Sequence, residues 1–294
     1  MENPKQLSML IPKGRLQNSV VSLLADVGVK FHFGARSYRP TSSDPEISAK
    51  LLKPQNIASL VSLGRHDVGF VGHDWILELG LDGPESGMVE VMDLEFDPVR
   101  LVAAVPDHFI SNGTFRAPKP MVVASEYERL TRRYIEDRGY EAVFVKTFGA
   151  TEALPPEDAD MIVDNTSTGA TLVSNRLEIV DELLVSTTRL VAHRSVLEDP
   201  WKKSKLERMI MLIRSTLDAK LWVLLEMNIA VERLDDLVAA LPAMRSPTVA
   251  PLFGDQGYAV KVAVPSKESP TLIPSLRKLG ATGILEYRLQ KIVP

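Results

Sequence analysis

Apolar residues change their period repeatedly along the first third of the chain, and the changes divide it into strands and helices. Residues 7–11 are a near-continuous apolar run, the pattern of a buried strand. After Pro12-Lys13-Gly14-Arg15, apolar residues at Leu16, Val20, Leu23, Leu24 and Val27 keep helical spacing, and Gly28 supplies a stop. Ile47, Ala49 and Leu51 alternate as on a strand, a short helix is predicted over 56–63, and 67–72 reads as a strand running into a turn. A helix over 73–79 and strands over 89–94 and 99–105 complete this part. Such alternation predicts a mostly parallel sheet covered by helices.

The polar stretch 107–120, with Gly113, Pro118 and Pro120, reads as a lobe boundary. A second α/β set follows, with strands over 121–124, 142–145 and 159–163, a helix over 126–138 and another beginning near Ser167. A strand over 187–193 is expected to cross back to the first lobe, and 198–217 is a helix with Leu206, Met209, Ile210 and Ile213 on one face. The last part reads strand 220–227, helix 233–241, strands 248–253 and 258–264, helix 271–279 and strand 283–292. That order, βαββαβ, is the ferredoxin-like arrangement. The expected division is a first lobe of 1–106 with 187–216, a second lobe of 107–186, and a third domain over 217–294.

Bulk properties narrow the function. The chain has 294 residues, 45% hydrophobic and 24% charged, the balance of an ordinary soluble globular protein. A net charge of -4 argues against general affinity for nucleic acid or acidic membranes. With no cysteine, disulfides, thiolate metal sites and a cysteine nucleophile are excluded. The N-terminal residues lack a basic-then-apolar signal pattern and no apolar run reaches membrane-spanning length, so a soluble cytoplasmic protein is expected.

Two segments carry candidate chemistry. In Asp160-Met-Ile-Val-Asp-Asn-Thr-Ser-Thr-Gly-Ala-Thr-Leu172 a buried strand ends in Asp164, and a turn of small hydroxyls and glycine leads into a helix. Backbone N–H groups and a helix N-terminus favour phosphate there. Thr166, Ser167, Thr168 and Thr171 can donate to phosphate oxygens, Gly169 lets the backbone approach, and Asp164 is placed to accept from vicinal ribose hydroxyls. A plain capped βα turn is the competing interpretation. At the end of the first strand, Lys13 and Arg15 sit where open α/β sheets meet anionic ligands, though two solvated charges would give the same pattern. P-loop and GxGxxG signatures are absent, and His32, His66, His73, His108 and His193 lack metal-ligand spacing. Tyr127, Arg129, Arg132 and Arg133 read as a solvated helix face.

With these segments in place the chain resembles the ATP phosphoribosyltransferase family in its long form, over its whole length. The marks are Pro12-Lys-Gly-Arg-Leu16, Asp67-Val-Gly-Phe-Val-Gly-His-Asp74, Gly149-Ala-Thr-Glu152 and the stretch 159–172. In the last part they are Leu241-Pro-Ala-Met-Arg-Ser-Pro-Thr-Val-Ala-Pro-Leu252 and Leu279-Gly-Ala-Thr-Gly-Ile-Leu285. The resemblance implies a two-lobed catalytic unit like the type II periplasmic binding proteins, with a C-terminal ferredoxin-like domain. It implies the first step of histidine biosynthesis: N1 of ATP attacks the anomeric carbon of phosphoribosyl pyrophosphate, and pyrophosphate leaves. Mg²⁺ would be held largely by the substrates' phosphates. Asp164, Thr166, Ser167, Thr168, Gly169, Ala170 and Thr171 would hold the phosphoribosyl group, and Lys13, Arg15, Glu95, Arg100 and Glu152 would line the ATP and pyrophosphate side. No single residue is expected to be an absolute acid or base. Asn228, Thr248 and Gly283 match positions near a regulatory histidine site, and a homo-hexamer is implied. Two segments depart from the family pattern, Leu94-Glu-Phe-Asp-Pro-Val-Arg100 and Lys53-Pro-Gln-Asn-Ile57. The competing class is a non-catalytic two-lobed protein that senses anions or histidine.

Overall fold

The computed structural model describes residues 5–34, 37–111, 114–116, 118–242, 246–254 and 256–293. The N-terminal residues 1–4, Gly113 and the Ala243 to Arg245 part of the C-terminal motif lie outside that set. The first lobe is built from β1 (Leu7–Pro12), α1 (Gln17–Asp26), a short hairpin of β2 (Phe31–His32) and β3 (Thr41–Ser42), β4 (Ile47–Leu52), α2 (Pro54–Ser62), β5 (Val68–Gly72), α3 (His73–Glu78) and β6 (Met88–Asp93). The chain then crosses into β7 (Val99–Pro106), a hairpin of β8 (Ile110–Ser111) and β9 (Thr114–Phe115), β10 (Met121–Ser125), α4 (Glu128–Arg138), β11 (Ala142–Lys146), β12 (Met161–Thr166), α5 (Ala170–Ser174) and β13 (Leu177–Ser186). It returns through β14 (Thr188–His193) to α6 (Arg194–Glu198) and the long α7 (Pro200–Ala219).

Both large sheets have the same topology. The first runs β4-β1-β5-β14-β6 and the second β11-β10-β12-β7-β13. In each, three parallel strands are followed by an antiparallel strand delivered by a crossing of the chain, β14 against β5 and β7 against β12. The central β5 is buried along its whole length, as a parallel strand covered on both faces must be, whereas β4 at the edge alternates. In the second sheet, Leu101, Ala103, Val105, Val123 and Met161 belong to one core with Tyr127 and Tyr134, while Val102, Ala104, Ile162 and Leu172 form the other.

Two expectations change here. The strand at Val99–Pro106, expected in the first lobe, pairs with β12 and β13 in the second sheet. An apolar run buried on both faces does not disclose which sheet owns it, so the polar stretch after it misled; that stretch enters the hairpin β8–β9. The second is β13, a ten-residue strand the pattern did not reveal. It carries two register shifts, between Ile179 and Asp181 and between Glu182 and Leu184, which break the two-residue alternation.

The described chain divides into two compact units, residues up to Ser22 with Lys30–Ser204, and Leu23–Val29 with Lys205 onward. The second contains β15 (Trp222–Ile229), α8 (Leu234–Ala239), β16 (Thr248–Pro251), β17 (Tyr258–Pro265), α9 (Ser269–Lys278) and β18 (Thr282–Arg288). Its antiparallel sheet runs β16-β17-β15-β18, the ferredoxin-like order. Val223, Leu225, Met227 and Ile229 alternate into its core. Among the described residues no helix is long and apolar enough to cross a membrane.

Candidate functional site

Turns at the carboxyl ends of β1, β5, β10 and β12 converge on a cavity of about 230 Å³ lined by Lys13, Arg15, Leu16, Pro54, Gly72, Asp74, Trp75, Tyr127 and Asn165. This is where α/β sheets place their ligands. A larger groove of about 540 Å³ lies along α4 and β13. There Arg138 pairs with Asp181 and Arg133 with Asp137, so its cations are already neutralised.

The first lobe contributes positive charge. Lys13 holds its Nζ 3.7 Å above the Tyr38 ring, and Arg15 donates from Nη1 to the carbonyl of Asp97 at 3.1 Å. Among the described residues neither cation pairs with a carboxylate, which leaves both for an anionic ligand. Asp97 and Glu95 sit at φ 51° and 56° in the crossing segment. Glu95, expected on the ATP side, is exposed and donates its backbone N–H to Asp93 at 2.9 Å; like Arg100, Glu152, Asp164 and residues 166–171, it is not among the cavity's lining residues.

Between the lobes lies a buried polar chain that the sequence reading missed. Asp74, 5% exposed at the start of α3, accepts from Ser186 Oγ at 2.7 Å and from Tyr127 Oη at 2.6 Å. Asn165 Nδ2 donates to Tyr127 Oη at 2.8 Å, and the Trp75 and Tyr127 rings stack with centroids 4.6 Å apart. Tyr127 is fully buried rather than on a solvated face; it precedes α4, so the helical pattern said nothing of its direction. Gly72 makes this possible, because a Cβ there would lie 2.1 Å from Asp74 Oδ1. The signal available in the sequence was Gly72-His73-Asp74, an acid just beyond the carboxyl end of an apolar strand.

The second lobe contributes the turn after β12. Thr166 Oγ1 accepts the N–H of Gly169 at 2.9 Å, and Thr168 Oγ1 accepts that of Ala170 at 3.3 Å. Gly169 stands at φ 80°, a backbone conformation that favours glycine. The turn is thus self-capped, yet each hydroxyl keeps its proton for another acceptor. Ser167, Thr168, Ala170 and Thr171 are exposed. Burial pushes Asp164 up to about 6, the carboxylates of Glu152 and Glu126 push the same way, and the N–H of Asn165, 2.7 Å from Oδ1, opposes them. Glu152 is near enough for its charge to act on Asp164. Arg100 is the register partner of Thr166 on β7, but its Nη1 lies 3.3 Å from Glu182 Oε2. Among the described residues no group of three or more His, Asp or Glu could hold a metal ion. A divalent metal fits this site only with phosphate oxygens as the main ligands, beside a carboxylate such as Asp164 or Glu152.

In the C-terminal domain Asn228 and Gly283 are neighbours, a Cβ on Gly283 falling 3.5 Å from Asn228 Nδ2. Thr248 lies on β16, with β17 between it and β15. All three are exposed.

Two lobes of like topology around a cleft with unpaired cations, plus a ferredoxin-like domain, define a two-lobed ligand-binding α/β protein. Comparison makes the class specific. The family model described as ATP phosphoribosyltransferase matches residues 53–215, and that of the HisG C-terminal domain matches 219–291. An ATP phosphoribosyltransferase of Chlorobium phaeovibrioides is 40% identical over 98% of this chain and 97% of its own length. That of Prosthecochloris aestuarii is 40% identical over the whole of both. Among solved structures, a chain of the ATP phosphoribosyl transferase (HisG:HisZ) complex from Thermotoga maritima is similar, with TM-score 0.59 and 29% identity over 71% of this chain and 99% of that one. The chain belongs to the ATP phosphoribosyltransferase family, the transferases of histidine biosynthesis, in the long form with a C-terminal domain.

Proposed function

We propose that the cleft between the two sheets carries out the family's transfer with the lobes in distinct roles. The turn Asp164–Thr171 holds the phosphoribosyl group, with the hydroxyls of Thr166, Ser167, Thr168 and Thr171 donating to its phosphate, Gly169 and Ala170 fixing the turn around it through their capped N–H groups, and Asp164 on its ribose hydroxyls. Lys13 and Arg15 meet the pyrophosphate and the triphosphate. The N1 lone pair of ATP forms the new bond to the anomeric carbon as the bond to pyrophosphate breaks, and pyrophosphate takes that electron pair. Rate enhancement comes from orienting two substrates and from stabilising the leaving anion. The observation that carries this reading is a cavity shared by Asn165 and two cations that, among the described residues, have no carboxylate partner, with a self-capped hydroxyl turn and a half-buried acid on either side of Asn165 in the chain. Arg100 and Glu152 line the ATP and pyrophosphate side, Arg100 on the strand beside Thr166 and Glu152 near enough for its charge to act on Asp164.

The divalent metal is assigned as Mg²⁺ carried by substrate phosphates. Residues 217–294 are assigned as a regulatory domain that binds histidine near Asn228 and Gly283, with Thr248 further along the sheet, in a cytoplasmic homo-hexamer. Purified protein given ATP, phosphoribosyl pyrophosphate and Mg²⁺ should release pyrophosphate, and histidine should slow the release. No release under any condition overturns the catalytic assignment. Release indifferent to histidine overturns the regulatory one, and light scattering tests the hexamer.

A further inference from the structure

Asn165 lines the cavity, and its amide orientation is decided by a one-way chain of protons. The backbone N–H of Asp74 donates to Ser186 Oγ at 3.0 Å, and that hydroxyl passes its own proton to Asp74 Oδ1 at 2.7 Å. The second carboxylate oxygen, Oδ2, accepts from the Tyr127 hydroxyl at 2.6 Å. With its only proton committed, the Tyr127 oxygen can do nothing but accept, so the Asn165 atom 2.8 Å away has to be Nδ2. Burial and the Asp74 carboxylate hold the Tyr127 phenol well above its ordinary range, which keeps that proton in place. The amide therefore turns its carbonyl, Oδ1, away from Tyr127, and among the described residues no donor meets it.

We propose that Asn165 is a specificity-determining residue: Oδ1 accepts a hydrogen bond from the exocyclic amino group of the substrate's adenine, admitting a 6-aminopurine and rejecting a 6-oxopurine. The inference rests on the cleft being the transferase site and deepens that reading. The wall beside Asn165 suits a flat base, because Trp75 stacks on Tyr127 with the planes 28° apart and Leu16 and Pro54 add apolar surface. A 6-oxopurine would set its carbonyl oxygen against Oδ1, two acceptors with no proton between them. Rotating the amide gives no relief, since Oδ1 would then face a Tyr127 oxygen whose proton lies on Asp74. Sites that are built to hydrogen-bond one substrate group discriminate in this way against analogues lacking it.

The test compares binding of ATP and inosine triphosphate by calorimetry in the wild type, Tyr127→Phe and Asn165→Leu. Binding is read because N1 of inosine carries a proton and is no nucleophile. The wild type should prefer ATP. Tyr127→Phe keeps the stacked ring but frees the amide to rotate, and should narrow the preference about tenfold through tighter inosine triphosphate binding. Asn165→Leu should narrow it by a similar factor through weaker ATP binding. A preference unchanged in both variants overturns the proposal. So does an effect confined to KM for phosphoribosyl pyrophosphate, which would put a ribose hydroxyl on Oδ1. Pyrophosphate release by the wild type reports on the cleft assignment independently, so an active enzyme with unaltered preferences sinks the role of Asn165 alone.

Discussion

The two lobes share a strand order and use the same positions, the carboxyl ends of their first and third parallel strands, to line one cavity, to which the first lobe adds Pro54 after its second. In the first lobe those ends hold Lys13, Arg15, Gly72 and Asp74; in the second they hold Tyr127 and Asn165, next to Asp164. One lobe thus offers free cations and a buried carboxylate, and the other a phenol, an amide and a hydroxyl turn. Topology chooses where a ligand meets the protein, and the residues placed there choose which part of it each lobe meets.

Substitutions can break or sharpen that contrast. Asp164→Asn should lower kcat/KM for phosphoribosyl pyrophosphate about a hundredfold, as losing hydrogen bonds to a charged group does, with ATP affinity by calorimetry little changed. Equal losses for both substrates would erase the division between lobes. Gly72→Ala forces a methyl group onto Asp74 Oδ1 and should cost about 2–3 kcal/mol in urea unfolding. Arg15→Ala should raise KM for ATP about tenfold, less in high salt.

The pH dependence is asymmetric in the same sense. Asp164 titrates near 6 when folded, above its ordinary 3.8, so between about pH 4 and 6 the native state keeps a proton that the unfolded chain has lost. That contribution to stability is present below the window and lost as pH rises through it. Accepting from two hydroxyls needs the ionised form, so kcat/KM for phosphoribosyl pyrophosphate should climb through pH 6 more steeply in the wild type than in Asp164→Asn. At the bottom of the scale, Glu95→Gln should leave KM for ATP within about twofold, because an exposed side chain outside the cavity has little to lose.

Much of this was readable in the sequence, and the failures share a cause. Strands such as β1, β4 and β5, and the turn at Asp164–Thr171, follow from local period and local turn chemistry. Ownership of β7 did not, because it is set by which sheet the chain reaches after 94–98. Register shifts hid β13. Where Glu95 points was not legible either, because its direction depends on a left-handed backbone that no periodicity encodes. Asp74, Tyr127, Asn165 and Ser186 lie up to 112 positions apart, and only the closing of two lobes brings them within hydrogen-bond reach.

Glu78 gives the two lobes a common mechanics. Its side chain, on α3 of the first lobe and 8% exposed, accepts the N–H groups of Arg129 and Leu130 at the start of α4 in the second, each at 3.1 Å. A carboxylate seated on another lobe's helix terminus works as a rivet. Pulling α3 from α4 would strip both N–H groups of their acceptor and leave a buried carboxylate without donors, so the lobes are held together at this point.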